Sequence, residues 1–287
     1  VTGKRYRKKL VEEGTVDGWD DPRLVSIAAL RRRGFTPESI QNFIELCGVA
    51  KANSAVDYAM LEYCIREDLK LKAARVMGIV DPIKLVIDNY PEGQSEVLVA
   101  PLNQENEAMG TREMTFSREL YIEREDFMIE PPKKYFRMFP GNEVRFMHAY
   151  FIKCTGYETD ENGNVTVVHG TYDPLSKGGT SPDGRKVKGT IHWVDAANAV
   201  PCECRLYENL IDEEKGVYNE DGSMNINPNS LTIAHAYVER YLENVQAYDR
   251  FQFVRNGFFC VDAKDSKPGE IVFNRIVSLK SSFKLPK

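Results

Sequence analysis

Arg137 and Arg145 flank a Pro-Gly turn at Pro140 and Gly141, within KKYFRMFPGNEVRFMHAYFIK at 133–153. A guanidinium is a planar fork of donors suited to base edges, and the rings of Tyr135 and Phe136 beside it are faces on which an unstacked base can settle. Two such forks around one turn could hold the splayed bases of a single-stranded RNA loop. The alternative reading is a hairpin with solvated arginines. A second constellation lies in FQFVRNGFFCVD, where Gln252 and Arg255 stand beside a turn. Both side chains can make bidentate contacts to bases, while Phe251 and Phe253 read as core.

Other chemistry is poorly served. The six cysteines lie at 47, 64, 154, 202, 204 and 260, mostly in apolar surroundings, and read as buried thiols with no disulfide. The Cys202/Cys204 pair has no second Cys/His pair near it, and the histidines at 148, 169, 192 and 235 show no zinc spacing, so no metal is expected. None has an acid or nucleophile placed to make it a base, and His192 with the others reads as a surface or rim residue. There is no GxSxG, no Walker loop and no GxGxxG after a strand.

The net charge of −5 excludes a protein that coats nucleic acid indiscriminately. Its distribution is uneven. Residues 1–34 hold nine Lys/Arg against five Asp/Glu, a net of +4, which leaves −9 for the rest. A local basic face suits selective phosphate contact. The opening segment reads as a disordered basic arm or a phosphate-binding loop, and Arg31, Arg32 and Arg33 as a charged helix end or a touch on an RNA backbone. No apolar run approaches membrane-spanning length and no apolar signal segment follows the basic start, so a cytoplasmic protein is expected.

The elements that must position these residues fall into two halves. Asp21 and Pro22 predict a helix start, Leu24, Ile27, Ala28 and Leu30 its buried stripe, and Gly34 its end. Thr36 caps a second helix that Pro37 opens and Gly48 closes, with Ile40, Phe43, Ile44, Leu46 and Cys47 on its buried face. A third runs from about 54 to 69 on Val56, Met60, Leu61, Cys64, Ile65 and Leu69. From about 79 the period drops to two, predicting strands at 83–88, 96–100, 120–123, 144–155, 165–172, 186–194, 203–208, 250–255, 258–262 and 271–279. Asn162-Gly163 and Asn256-Gly257 predict tight hairpins. In 186–194, Val187, Gly189, Ile191 and Trp193 share one face, and Lys186, Lys188, Thr190 and His192 the other. The expected fold is α+β and multi-domain: a small N-terminal helical subdomain, then two mainly antiparallel β-barrels.

VTGKR, GWDDPRL, LRRRG, CIREDL, DPIKLVIDNY, YFRMFPGNEVR, DGRKVKGTIHWV and FNRIVSLK, in this order and spacing, resemble the C-terminal half of bacterial-type glutaminyl-tRNA synthetase, a class I enzyme. The resemblance covers essentially the whole chain. It implies a signature-loop remnant and linker at 1–19 and a helical subdomain at 20–77. It also implies an anticodon-binding region at 78–287, whose distal barrel, about 115–200, is inserted in the proximal one. The nucleotide-binding domain that precedes this region in the family is expected to be absent, leaving the fragment inactive by itself.

The same resemblance implies the site residues. Lys4 falls on the signature-loop lysine that neutralises ATP phosphates in the full enzyme, with Thr2 and Gly3 in place of the usual Met and Ser. Arg75 and Gln252, with Arg255 close by, fall on readers of the central anticodon base, Arg145 on the first and Arg137 on the third. From the residues alone Arg75 reads as a helix-end charge. Lys134 and Phe136 stand where the family carries Gln and Lys, and Met147 where an arginine is often found. Lys134, Tyr135, Phe136 and Arg31–Arg33 are auxiliary RNA contacts. The implied partner is glutamine tRNA bound by a monomer, with no DNA and no membrane. No cofactor is expected in the fragment, and ATP and Mg belong to the full enzyme. The rivals are a glutamyl-tRNA synthetase with the same barrels and a stand-alone RNA-binding barrel protein.

Overall fold

Four helices precede a long run of strands in a computed structural model that describes residues 2–48 and 55–283. The chain divides into two compact units. The first holds 1–74, 203–234 and 245–287, the second 75–202 and 235–244. Among the described residues no helix is long and apolar enough to cross a membrane.

The first unit begins with the helix Lys4–Glu12, so the opening segment is neither a loose arm nor a loop from Lys4 onward. Leu10 anchors it in a cluster with Val16, Leu24, Ala29, Leu210 and Ile211. The second helix is Ile27–Arg33, five residues shorter than expected at its start. Ser26 caps it, accepting from the Ala29 N–H at 3.1 Å. Asp21 instead accepts from the Asp17 and Arg23 N–H groups and the Arg23 guanidinium, which folds 17–23 into a turn of its own. The third helix, Pro37–Cys47, has the expected Thr36 cap and Gly48 end. Its outer residues Ile44 and Leu46 are exposed, contrary to the apolar stripe, while Ile40 and Phe43 pack inward. The fourth, Tyr58–Leu69, is capped by Asp57; the expected start at 54 lies outside the described residues.

These helices pack with strands through Leu30, Phe35, Leu61, Ile65, Phe258, Cys260 and Ile276. The strand order in this unit is Arg250–Phe253, Gly257–Val261, Ile271–Val277, Val200–Tyr207, Leu231–Val238. The last of these, like Thr111–Ser117 in the second unit, was not anticipated, because its exposed outer half carries apolar residues that blur the alternation.

The second unit is built on a seven-stranded sheet in the order Thr190–Ile191, Glu143–Phe146, Phe151–Thr159, Val165–Tyr172, Pro82–Ile87, Glu119–Glu123, Val194–Asp195. Both end strands come from one six-residue stretch, 190–195. A sheet whose two edges belong to one short segment must curl round on itself, so this is a nearly closed barrel. The expected long strand at 186–194 is therefore two short pieces, with His192 and Trp193 between them. The expected strand at 144–155 also breaks, at a tight turn where His148 takes a left-handed φ of 62°. No Gly, Asn or Pro marks that turn, which hides it from pattern reading.

Aromatic rings fill the barrel. Phe116 meets Trp193 edge-on at 5.3 Å and Tyr150 at 5.2 Å, and the Tyr90 and Tyr150 hydroxyls both donate to Glu96. Both anticipated hairpins form, with longer loops than two residues. At 160–164, Asp160 accepts from the Asn162 and Asn164 N–H groups. At the other, the turn spans 254–256 and Arg255, not Asn256, takes the left-handed φ of 69°. All six cysteines are free thiols, five of them buried.

His169, on Val165–Tyr172, bridges its two neighbouring strands, placing its imidazole 2.9 Å from Asp88, just past Pro82–Ile87, and 3.0 Å from Glu158 on Phe151–Thr159. The Asp88 contact foremost raises its pKa above the ordinary value; burial opposes and Glu158 reinforces the rise. A raised folded-state pKa stabilises fully below the unfolded value and is lost as pH climbs through the folded one. The melting temperature of wild type should therefore exceed that of His169→Gln at about pH 5.5, and the gap should close by about pH 8.5. A gap independent of pH would assign His169 a packing role only.

Candidate nucleic-acid interface

Arg137 ends the loop closed by the Phe127–Met138 bridge, in the second unit. Its Nε is 3.4 Å from Asp126, which is 1% exposed, and one terminal nitrogen donates to the Glu125 carbonyl at 3.2 Å. The Tyr135 hydroxyl donates to that same carbonyl at 2.9 Å, and the guanidinium lies 5.8 Å from the Tyr135 ring. Beyond the turn, the Asn142 amide donates back to the Arg137 carbonyl at 2.6 Å. The Gly141 N–H bonds the Cys154 carbonyl, which ties the Pro-Gly turn to the barrel. An ordinary surface arginine has many rotamers; this one is held at its backbone, its Nε and one terminal nitrogen, while its side chain stays 42% exposed.

Arg145 sits on the strand Glu143–Phe146. Its Nε donates to the Gly179 carbonyl at 2.8 Å, and its guanidinium lies 5.3 Å from the Phe151 ring. Arg185 shares that ring at 5.1 Å and is itself tied to Glu143 and Asp173. Gly189 links the strand of Arg145 to the loop of Arg137: its carbonyl accepts from the Arg145 N–H at 2.8 Å, and its Cα lies against the carbonyl of Phe136, the residue before Arg137. Phe136 is 48% exposed, and the Lys188 ammonium sits 5.4 Å from its ring. Lys134 is exposed at a left-handed φ of 67°. The loop at 133–137, the strand Glu143–Phe146 and the segment at Lys188 thus gather two half-buried guanidiniums, two rings and two exposed ammonium groups, a combination suited to unpaired bases and their phosphates.

Behind this loop lies a group the sequence did not reveal. Glu123, Asp126 and His192 are all buried, and their donor atoms lie within 4.8 Å of one another. His192 is 1% exposed and hydrogen-bonded to Glu123 at 2.9 Å, so it is not the rim residue that its alternating strand implied. The three come from segments about seventy residues apart, too far for spacing along the chain to signal them. Arg137 compensates Asp126 from outside.

In the second unit Arg75 is on the short strand Ala74–Val76 rather than at a helix end, with its guanidinium 2.8 Å from Glu105. In the first unit Gln252 is half-buried on the strand Arg250–Phe253, opposite Phe258. Arg255 occupies the left-handed corner of the following turn. Such a conformation is rare outside glycine and Asn, and it is found preferentially where a side chain is being aimed. Phe251 and Phe253 are buried, as their flanks suggested.

Arg32 and Arg33 are buried, which counts against the expected contact with an RNA backbone. Arg32 is 6% exposed and forms a bidentate pair with Asp262 at 2.9 and 3.2 Å. Arg33 donates to the Arg275 carbonyl and stands over the Tyr207 ring. The helix turns both inward and leaves Arg31 alone exposed. Lys4 is exposed in the first turn of its helix, in which no acidic residue offsets the positive end; Val1 of the same motif lies outside the described residues.

Family models described as tRNA synthetases class I (E and Q), anti-codon binding domain, match residues 73–173 and 190–262. The catalytic-domain model of that family matches residues 1–71. The chain is 56% identical over 288 residues to a glutamine–tRNA ligase of Clostridium kluyveri, covering 100% of this chain and 52% of that relative. It is 57% identical to the enzyme so named from Clostridium perfringens, over 99% of this chain and 52% of the relative. For Cupriavidus necator the figures are 51%, 99% and 49%. The chain spans about half the length of the curated relatives it matches. With both anticodon-binding models and the catalytic-domain model of one family matched in sequence along it, the chain belongs to the class I tRNA synthetases of the E and Q type.

Proposed function

We propose that this chain is the tRNA-binding part of a glutamine–tRNA ligase and reads the anticodon of glutamine tRNA. The observation that carries the reading is that two guanidiniums flanking one turn are each tied to the barrel, Arg137 through Asp126 and the Glu125 carbonyl and Arg145 through the Gly179 carbonyl. In this reading Arg145 takes the first anticodon base and Arg137 the third. Arg75, Gln252 and Arg255 take the central base, and Lys134, Tyr135, Phe136 and the exposed Arg31 supply auxiliary contacts. Residues 20–77 act as the helical subdomain that meets the inner side of the tRNA, and 78–287 as nested anticodon barrels.

The full ligase would join glutamine to the terminal ribose of its tRNA in the cytoplasm, using ATP and Mg, as a monomer. Of the residues described, Lys4 suits the ATP phosphates, because an exposed ammonium can neutralise a developing phosphate charge. ATP supplies the activation of the amino acid. This chain's own residues bind and orient the RNA.

The test is binding of the chain at fixed salt to glutamine tRNA and to the same tRNA with its third anticodon base changed from G to C. The unaltered RNA should bind about ten- to a hundredfold more tightly. Equal binding to both would leave a phosphate-only contact and refute anticodon reading by this chain. A preference for C would favour the glutamyl enzyme.

A further inference from the structure

We infer that Gly189 and Gly179 are positioning residues for base discrimination, each holding one reader arginine by having no side chain; this rests on the anticodon reading above. At Gly189 a Cβ would lie 1.8 Å from the Phe136 carbonyl oxygen and 2.9 Å from its carbon, far inside contact distance. The backbone of 189–191 has little freedom to retreat. Gly189 accepts from the Arg145 N–H and the Met147 N–H bonds Ile191, and the added Cβ would also lie only 3.2 Å from the Val144 side chain. The side that can yield is the exposed loop Tyr135–Phe136–Arg137. An added methyl at 189 would push that loop outward and draw Arg137 off Asp126 and the Glu125 carbonyl.

Gly179 does the same for Arg145 by another route. A Cβ there would fall 2.9 Å from Arg145 Cδ and 3.3 Å from its Nε, the nitrogen that donates to the Gly179 carbonyl. The obstacle in this case is a movable side chain. Substitution would therefore spare the fold and swing the guanidinium away from its bond. Gly179 also has a φ of 77°, so asparagine, which tolerates the left-handed region, isolates the steric effect better than alanine. Gly189 has no such φ, and alanine is suitable there.

The two glycines act on different arginines, so their effects on specificity are separable in a way that loss of stability is not. Wild type, Gly189→Ala and Gly179→Asn would each be titrated with three RNAs: glutamine tRNA, a first-base variant and a third-base variant. Gly189→Ala should reduce third-base preference about tenfold or more and leave first-base preference within about twofold. Gly179→Asn should do the converse. Melting temperatures taken alongside show that each variant is folded, and Gly179→Asn carries the test by itself if Gly189→Ala does not fold. Preferences unchanged in the folded variants, or both preferences falling together in each, would overturn the inference. Absence of any preference in wild type would instead overturn the anticodon reading itself, before the variants are compared.

Discussion

Arg32→Ala should destabilise the first unit by about 3–5 kcal/mol, whereas Arg31→Ala, one residue away, should change stability by no more than about 0.5 kcal/mol. The difference is one of position on the helix. Arg32 faces Asp262, which is fully buried, and pairs with it through two hydrogen bonds. Asp265 and Asp20 stand around the same guanidinium at 3.0 and 3.6 Å. Asn274 completes the arrangement, donating to Asp262 at 2.6 Å and accepting from the Tyr207 hydroxyl. Burial pushes the Asp262 carboxyl up, but the bonds from Arg32, Asn274 and the Asp265 N–H outweigh it and hold the group below its usual value.

Removing Arg32 leaves that carboxylate in the interior without its main cation, and such an uncompensated charge costs more than the intact pair contributes. The pH dependence follows. A depressed folded-state pKa gives stability that is present above the unfolded value, near 3.8, and lost as pH falls through the folded one. The deficit of Arg32→Ala should be largest near neutrality and shrink in acid. Urea unfolding at neutral and acidic pH measures it. Equal small losses for Arg31→Ala and Arg32→Ala would show that the buried pair does not support the fold.

Arg137→Ala should cost about 1–3 kcal/mol in binding to the cognate RNA and remove most of the discrimination at one base. The loss should be nearly absent with an RNA already altered at that base, which is what separates a base reader from a phosphate contact. A uniform loss across all RNAs would reassign Arg137 to the backbone. Arg137→Lys should not restore discrimination, since an ammonium lacks the paired donors that match a base edge. Stability is the necessary control, because Arg137 also compensates the buried Asp126. A variant that melts much lower would report on Asp126 rather than on RNA. Asp126→Asn in combination with Arg137→Ala removes that charge imbalance and should leave the loss of discrimination in place.

Much of the local structure was determined by the sequence itself. The helix Pro37–Cys47 carries its start in Thr36-Pro37 and its stop in Gly48, and signals of this kind act within a few residues, so they can be read without the fold. The strand Val165–Tyr172 has its predicted bounds. The turn-flanking arginines stood out as chemistry, because guanidiniums beside aromatic rings are the residue types that suit unpaired bases. The family resemblance, carried by ordered motifs, marked the same loop.

Tertiary structure alone decided what each charge does. Three consecutive arginines look equivalent in the chain, yet the helix turns two inward, to an aspartate 230 residues later and a carbonyl 242 residues later. His192 alternates with apolar residues like a solvent-facing side chain, but 190–195 supplies both edges of a closing sheet, and the bend between them buries it against Glu123. Gly189 looked like one more strand residue until the fold set it against the Phe136 carbonyl. The reason is common to all three. Propensity and turn chemistry act over a few residues, whereas burial and charge compensation depend on partners that only the folded chain brings into reach.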